Sequence, residues 1–245
     1  MMERTTLQRS LPALALALLF AATLFVAFAE VDFGEPKVDS EDSVANRYIS
    51  EGNNETGSAN LVTAVVVNYR GFDTLGEVTV LFLAATGVGA LLTFIKKDEK
   101  EDEKEKGLPP SLILNKGARL VLPLIVLFGV YVFLHGHLSP GGGFQGGVII
   151  ASGMLLFYIA EPHRKASHRV ISWIESTAGL SFIGLGLVGL MFGSKIFLAN
   201  DYATDWGEVG MLVSAGLLPL IYIAIGFKVG SEMTGLVERM RGDGS

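Results

Sequence analysis

Long apolar runs alternate with short polar stretches along the chain, each run close to the roughly 20 residues that one helical bilayer crossing takes. The pattern predicts six spans, Leu11–Ala29, Val78–Ile95, Ala118–Leu138, Phe144–Ala160, Val170–Gly193 and Val209–Phe227. Between them lie an acidic stretch, Glu30–Tyr69, a mixed-charge run, Lys96–Lys106, a short basic connection, Glu161–Arg169, and an outer loop, Ser194–Gly207. A short polar tail closes the chain. Within the acidic stretch, Leu61–Val67 is a β-branched run that reads as a strand or as a helix lying at the surface. Pro123 and Pro219 are expected to kink or cap their spans.

Two interruptions organise the pattern. Lys96–Lys106 has no apolar face and is followed by Gly107-Leu108-Pro109-Pro110, so it reads as a solvated linker. It divides the chain into a first unit, 1–96, with two spans and an external loop, a linker at 97–110, and a second unit, 111–245, with four spans. The other interruption is His135–Gly147, where Pro140, Gly141, Gly142 and Gly143 stop any helix. It is either a tight connection between packed helices or irregular backbone lining a polar cavity. Gly142 and Gly146, and Gly143 and Gly147, are four apart, the spacing that lets helices approach closely.

Composition agrees with membrane residence. The chain is 50% hydrophobic and only 18% charged, against about 25% charged for ordinary soluble domains, and its mean hydropathy is +0.46. Of its 19 basic residues, only Lys37, Arg47, Arg70 and Lys195 fall on the outer segments of a topology with both ends inside. The excess of Lys and Arg on the other side therefore predicts an all-α integral membrane protein with about six transmembrane helices and both termini cytoplasmic. Ala27-Phe28-Ala29 before Glu30 also fits a cleavage site, but the apolar run is longer than a usual signal core, which favours a retained helix. With no cysteine and four unclustered histidines, the chain offers neither thiolate chemistry nor a metal centre of its own.

Ionisable groups inside a membrane are costly and tend to mark ion pathways. Glu77, with Asp73 one turn before it, stands at the outer mouth of the second span and can bind a cation or accept a proton; the plainer alternative is pairing with a partner chain. Glu175 lies one to two turns inside the fifth span, where it either handles ions or pairs with Arg169 or His168. His137 is a candidate proton relay near the outer mouth, or an ordinary interfacial histidine. His135 is two residues away and cannot share a helix face with it. Thr79, Thr86 and Thr93 recur every seven residues as a polar stripe. Lys195 and Lys228 are expected to snorkel to the two surfaces.

Asn68-Tyr69-Arg70-Gly71-Phe72-Asp73-Thr74-Leu75-Gly76-Glu77, preceded by Glu55-Thr56-Gly57 and Val62-Thr63-Ala64, resembles the C-terminal end of MrpA in Mrp-type cation/proton antiporters, the part also found as MbhE. Residues 111–240, with Pro140-Gly141-Gly142-Gly143-Phe144 and Gly146-Gly147, resemble MnhB, also called MrpB, of the same antiporters. The large antiporter-like portion of MrpA is missing. The resemblance thus implies a split module, as in archaeal membrane-bound hydrogenases, sulfane sulfur reductases and formate hydrogenlyases. It implies a non-catalytic subunit of the cell membrane that binds no cofactor and takes part in coupled movement of Na⁺ and H⁺. Implied partners are A- and D-like antiporter subunits, C-, E-, F- and G-like subunits, a hydrogenase-like redox arm and the lipid bilayer, with no nucleic acid. The alternative it leaves is a structural component that bridges ion-translocating neighbours without an ion path of its own.

Overall fold

A computed structural model of the protein describes residues 2–29, 43–98, 110–164, 167–204 and 206–241. Most of the expected linker, and the side chain of Thr93, lie outside the described residues. The chain divides into two units, Met1–Asn46 and Arg47–Ser245. The first consists mainly of α1 (Met2–Ala29). Its 28 residues give a helix about 42 Å long, with an exposed apolar stretch over Ala15–Val26.

The second unit holds most of α2 (Val44–Thr56), then α3 (Leu61–Thr63), which continues into a π-helical segment, Ala64–Tyr69. There follow α4 (Gly71–Asp98), α5 (Leu112–Leu134), α6 (Gly143–Ala160), α7 (His168–Phe192) and α8 (Leu218–Met240). Five described helices, α4 to α8, are long and apolar enough to cross a membrane. The protein is an all-α integral membrane protein.

Local chemistry sets several boundaries. Ser111 caps α5 by accepting from the Leu114 N–H at 3.1 Å. Asn60 caps α3 by accepting from the Val62 N–H at 3.1 Å. Leu61–Val67 is therefore helical rather than a strand, and Thr63, Ala64 and Val67 are buried rather than at the surface. Pro123 sits inside α5.

The last span differs most from the expectation. It begins at Leu218, with Pro219 in the first turn, where a proline's missing N–H costs nothing. Residues 209–217 are not helical, because Gly210, Ala215 and Gly216 take φ of 97°, 58° and 55°, outside the right-handed helical region. The expected polar tail is instead the second half of α8. Lys228, Ser231, Glu232, Thr234 and Glu238 are all buried there.

α8 is the most buried of the spanning helices and packs on α6 and α7, while α6 also packs on α5. Glycine makes these contacts close. A Cβ at Gly143 would lie 2.5 Å from Ile225 Cβ, and one at Gly147 would lie 2.8 Å from the Gly226 carbonyl oxygen. On the other side of α6, a Cβ at Gly146 would lie 2.6 Å from the Gly129 carbonyl oxygen of α5. The four-residue glycine spacing thus turns Gly143 and Gly147 toward α8 and Gly146 toward α5.

Candidate functional site

The glycine break joins the stretch around α3 to α5 and α6. Past the end of α5 at Leu134 the backbone is not helical, so its carbonyls take donors from elsewhere in the chain. The Gly136 carbonyl accepts from Asn60 Nδ2 at 2.8 Å and from Thr63 Oγ1 at 2.6 Å, and the Ser139 carbonyl accepts from Asn60 Nδ2 at 2.9 Å. The His137 carbonyl accepts from the Asn60 N–H at 3.1 Å and from Ser58 Oγ at 3.0 Å. Tyr222 of α8 completes the joint by donating its hydroxyl to Thr63 Oγ1 at 2.8 Å. The segment is thus held by hydrogen bonds from the stretch around α3. Replacing Asn60 with Ala removes the side-chain donor to the Ser139 carbonyl and one of the two donors to the Gly136 carbonyl. Thermal unfolding of the solubilised complex is expected to register about 1–3 kcal/mol of lost stability, the cost of leaving buried polar groups unpaired.

His137 is fully buried in this joint, with Nε2 3.3 Å from the Met211 carbonyl. Its Nδ1 has no hydrogen-bond partner among the described residues. Burial lowers its pKa, which favours the neutral ring. His135 points elsewhere, with Nδ1 3.0 Å from the Tyr131 carbonyl and its ring against that of Tyr131.

A second joint is absent from the sequence reading. Part of the presumed external loop 194–207 is buried, at Phe197, Leu198, Ala199, Asn200 and Ala203. The Asn200 N–H donates to Asn68 Oδ1 at 2.6 Å, its Nδ2 donates to the carbonyls of Thr56 and Ala215, and its Oδ1 accepts from the Leu217 N–H. Nearby, Glu55 accepts from the Tyr69 hydroxyl at 2.5 Å and pairs with Arg47 at 2.8 Å, and both lower its pKa.

Asp73 lies in the first turn of α4 and pairs with Arg70 at 2.5 Å. Glu77 follows six residues from the helix start, about 9 Å along the axis. It is exposed on the surface of this chain, and helical spacing puts it on one face with Asp73, Val80 and Ala84. Thr79 satisfies its hydroxyl on the Leu75 carbonyl at 2.7 Å.

Deeper along the helices, around the middle of α8, the structure brings together residues far apart in sequence. Lys228 Nζ lies 3.2 Å from Glu175 Oε1 on α7 and 2.8 Å from Glu232 Oε2 on α8. The side chains of Lys228, Glu175 and Glu232 are 8%, 23% and 2% exposed. Lys228 does not snorkel, because α8 runs a further twelve residues and holds it in mid-helix. A Cβ placed at Gly179 of α7 would lie 3.6 Å from its Cε, and its ammonium sits over the Phe82 ring at 5.1 Å. Glu175 therefore has Lys228 as its ion-pair partner, in place of the Arg169 or His168 expected from sequence. A cavity of about 50 Å³ adjoins the triad, lined in part by Thr86, His168, Ser172 and Arg239. The signal that could have found the triad is the Lys228–Glu232 spacing of four, that of a helical ion pair.

At the C-terminal end of α6, Glu161 pairs with Arg119 and, at 3.2 Å, with Arg164. The hydrogen bond from Arg119 holds its carboxyl below the usual carboxylate range. Arg241 donates to the Pro162 carbonyl at 2.5 Å and lies over the Tyr158 ring at 4.7 Å.

These features define a multi-pass membrane protein with polar joints at one end of its helices and a buried ion triad around the middle of α8. The family described as a domain related to the MnhB subunit of Na⁺/H⁺ antiporters matches residues 113–235, and the MbhE family, described as the E-type component of MBH, matches residues 9–102. The chain belongs to the MnhB family and carries an MbhE unit fused ahead of the MnhB domain. It is similar to a chain of the membrane-bound sulfane sulfur reductase, an archaeal respiratory membrane complex, with 42% identity, coverage of 96% of this chain and 98% of that one, and a TM-score of 0.70. It is 29% identical over 211 residues to a protein of Methanocaldococcus jannaschii, covering 76% of this chain and 80% of that protein. Against the B-type component of the Na⁺/H⁺ antiporter of Bacillus subtilis it is 49% identical over 102 residues, 39% of this chain and 66% of the relative. The chain is a subunit of a membrane complex with an Mnh/Mbh-type antiporter-like module, and it works beside other membrane subunits.

Proposed function

We propose that this chain takes part in coupled Na⁺/H⁺ translocation as a non-redox subunit of a respiratory complex or antiporter of the cell membrane. The arginine-rich end of its helices faces the cytoplasm. Its neighbours are A- and D-like antiporter subunits and C-, E-, F- and G-like subunits, with a hydrogenase-like redox arm where the host is a respiratory complex. Na⁺ and H⁺ are cargo rather than bound cofactors.

The observation that carries this reading is the placement of Glu77. It is exposed on a membrane-spanning helix, among exposed Phe72, Val80 and Leu83, and makes no hydrogen bond or ion pair with the described residues. A charge at the centre of a membrane helix costs about 2.5–3.5 kcal/mol on insertion scales. Its carboxylate therefore needs a polar environment from outside this chain, which an ion route shared with a neighbouring subunit supplies. Asp73 lies on the same face and is ion-paired with Arg70.

The same exposure suits a scaffold in which Glu77 only contacts a partner chain. The Glu77→Gln variant separates the two. Sodium-driven proton exchange per assembled complex is expected to fall by about a hundredfold, the lower end of what a positioned proton-transfer group contributes. The yield on blue-native gels should hold. Reduced yield with unchanged exchange per complex supports the scaffold instead.

A further inference from the structure

The Glu175–Lys228–Glu232 triad sits deeper along the helices than Glu77, at the level of Phe82 on α4, and a route through Glu77 alone does not require it. Glu232 is almost wholly buried. Its Oε2 accepts from Lys228, but its Oε1, also buried, has no hydrogen-bond partner among the described residues. Glu232 borders the cavity of about 50 Å³. A single water needs roughly 10–15 Å³ of such space, so several fit. The cavity lies at the end that carries Arg119, Arg164 and Arg241, the inner end by the distribution of basic residues.

We propose that Glu232 is a proton-loading site reached by water from the inner side, with Lys228 exchanging between Glu232 and Glu175 as the proton binds and leaves. The proton passes from cavity water to Oε1 and makes Glu232 neutral. Its pull on the ammonium falls, and Lys228 settles on Glu175, which it already touches at 3.2 Å. When the proton returns to water, Lys228 is shared again. This deepens the translocation reading and rests on it for its purpose.

The surrounding charges favour a proton over a metal cation. α7 presents Glu175 and His168, α8 presents Lys228 and Arg239, and α4 faces the cavity with Phe82 and Thr86. Farther along α8, Glu238 lies within electrostatic range of Tyr158 on α6. An ammonium and a guanidinium beside the cavity repel a second cation. A hard metal ion also needs a shell of oxygens, whereas a proton needs only the one left free.

The test uses the assembled complex. Glu232→Gln keeps the shape and can still accept from Lys228. In pH-jump infrared difference spectra, a protonated-carboxyl band present in the wild type and in Glu77→Gln should be lost in Glu232→Gln. An undiminished band overturns the proposal. Independently, Ser172→Cys puts a thiol beside the cavity in a chain that has no cysteine. A hydrophilic thiol reagent should label it from the inner side, and failure to label from that side overturns the water access. The translocation reading fails separately, if Glu77→Gln exchanges normally, whatever the Glu232 band does.

Discussion

Replacing Lys228 with Met is expected to destabilise the protein by about 3–5 kcal/mol, the scale of breaking a buried ion pair from one side. The loss would leave two carboxylates facing one another near the middle of the α7–α8 contact, with Glu232 2% exposed and no counter-ion at 2.8 Å. Lower yield of assembled complex and a lower unfolding temperature are the readouts. The double variant Lys228→Met, Glu232→Gln removes one of the stranded charges and should recover much of the loss. Wild-type stability in the single variant would mean that the triad is not held as an ion pair. Arg is not an equivalent replacement, because its planar fork must fit where the lysine stem now runs beside Gly179, at which a Cβ would lie 3.6 Å from the lysine Cε.

The second large effect is expected at Gly147. A Cβ there would meet the Gly226 carbonyl oxygen and Val229 Cβ, both at 2.8 Å, and the Gly230 nitrogen at 2.9 Å. These are backbone and β-carbon atoms, which cannot rotate away as the end of a flexible side chain can. Gly147→Val must therefore push α6 off α8, and its cost should meet or exceed the roughly 1–3 kcal/mol of ordinary overpacking. Gly87→Ala is the control. A Cβ there meets nothing within 4 Å, and alanine favours the helix by up to about 1 kcal/mol. Near-absence of assembled Gly147→Val beside normal Gly87→Ala is the expected pattern on native gels. Equal yields would mean that the helices tolerate separation.

Much of the helical layout was legible because hydropathy over a span-length window is a local property. Gly143–Ala160 starts one residue before its expected limit, and α7 keeps close to its own. The last span was misplaced for the same local reason. A hydropathy window stops at Lys228 and counts Met211–Val213 as apolar, whereas the chain turns at Ala215 and Gly216 and then continues helical through Glu232 and Glu238. Those charges are tolerated because α7 supplies Glu175, a partner 53 residues away. The joints around Asn60 and Asn200 were out of reach for a related reason. Asn200 meets Asn68 and Thr56 across 132 and 144 residues, and no local pattern encodes such contacts. For the candidate site, sequence singled out Glu77, Asp73, Glu175 and His137, but only Glu175 belongs to the intramembrane triad, and its two companions lie in what looked like surface lysine and polar tail.

The most direct measurement is sodium-gradient-driven proton flux in vesicles carrying equal numbers of wild-type, Glu77→Asp and Glu77→Gln complexes. If the carboxylate near the start of α4 handles ions, Asp should keep part of the flux and Gln should lose nearly all of it. Full flux in the Gln complex would contradict the account.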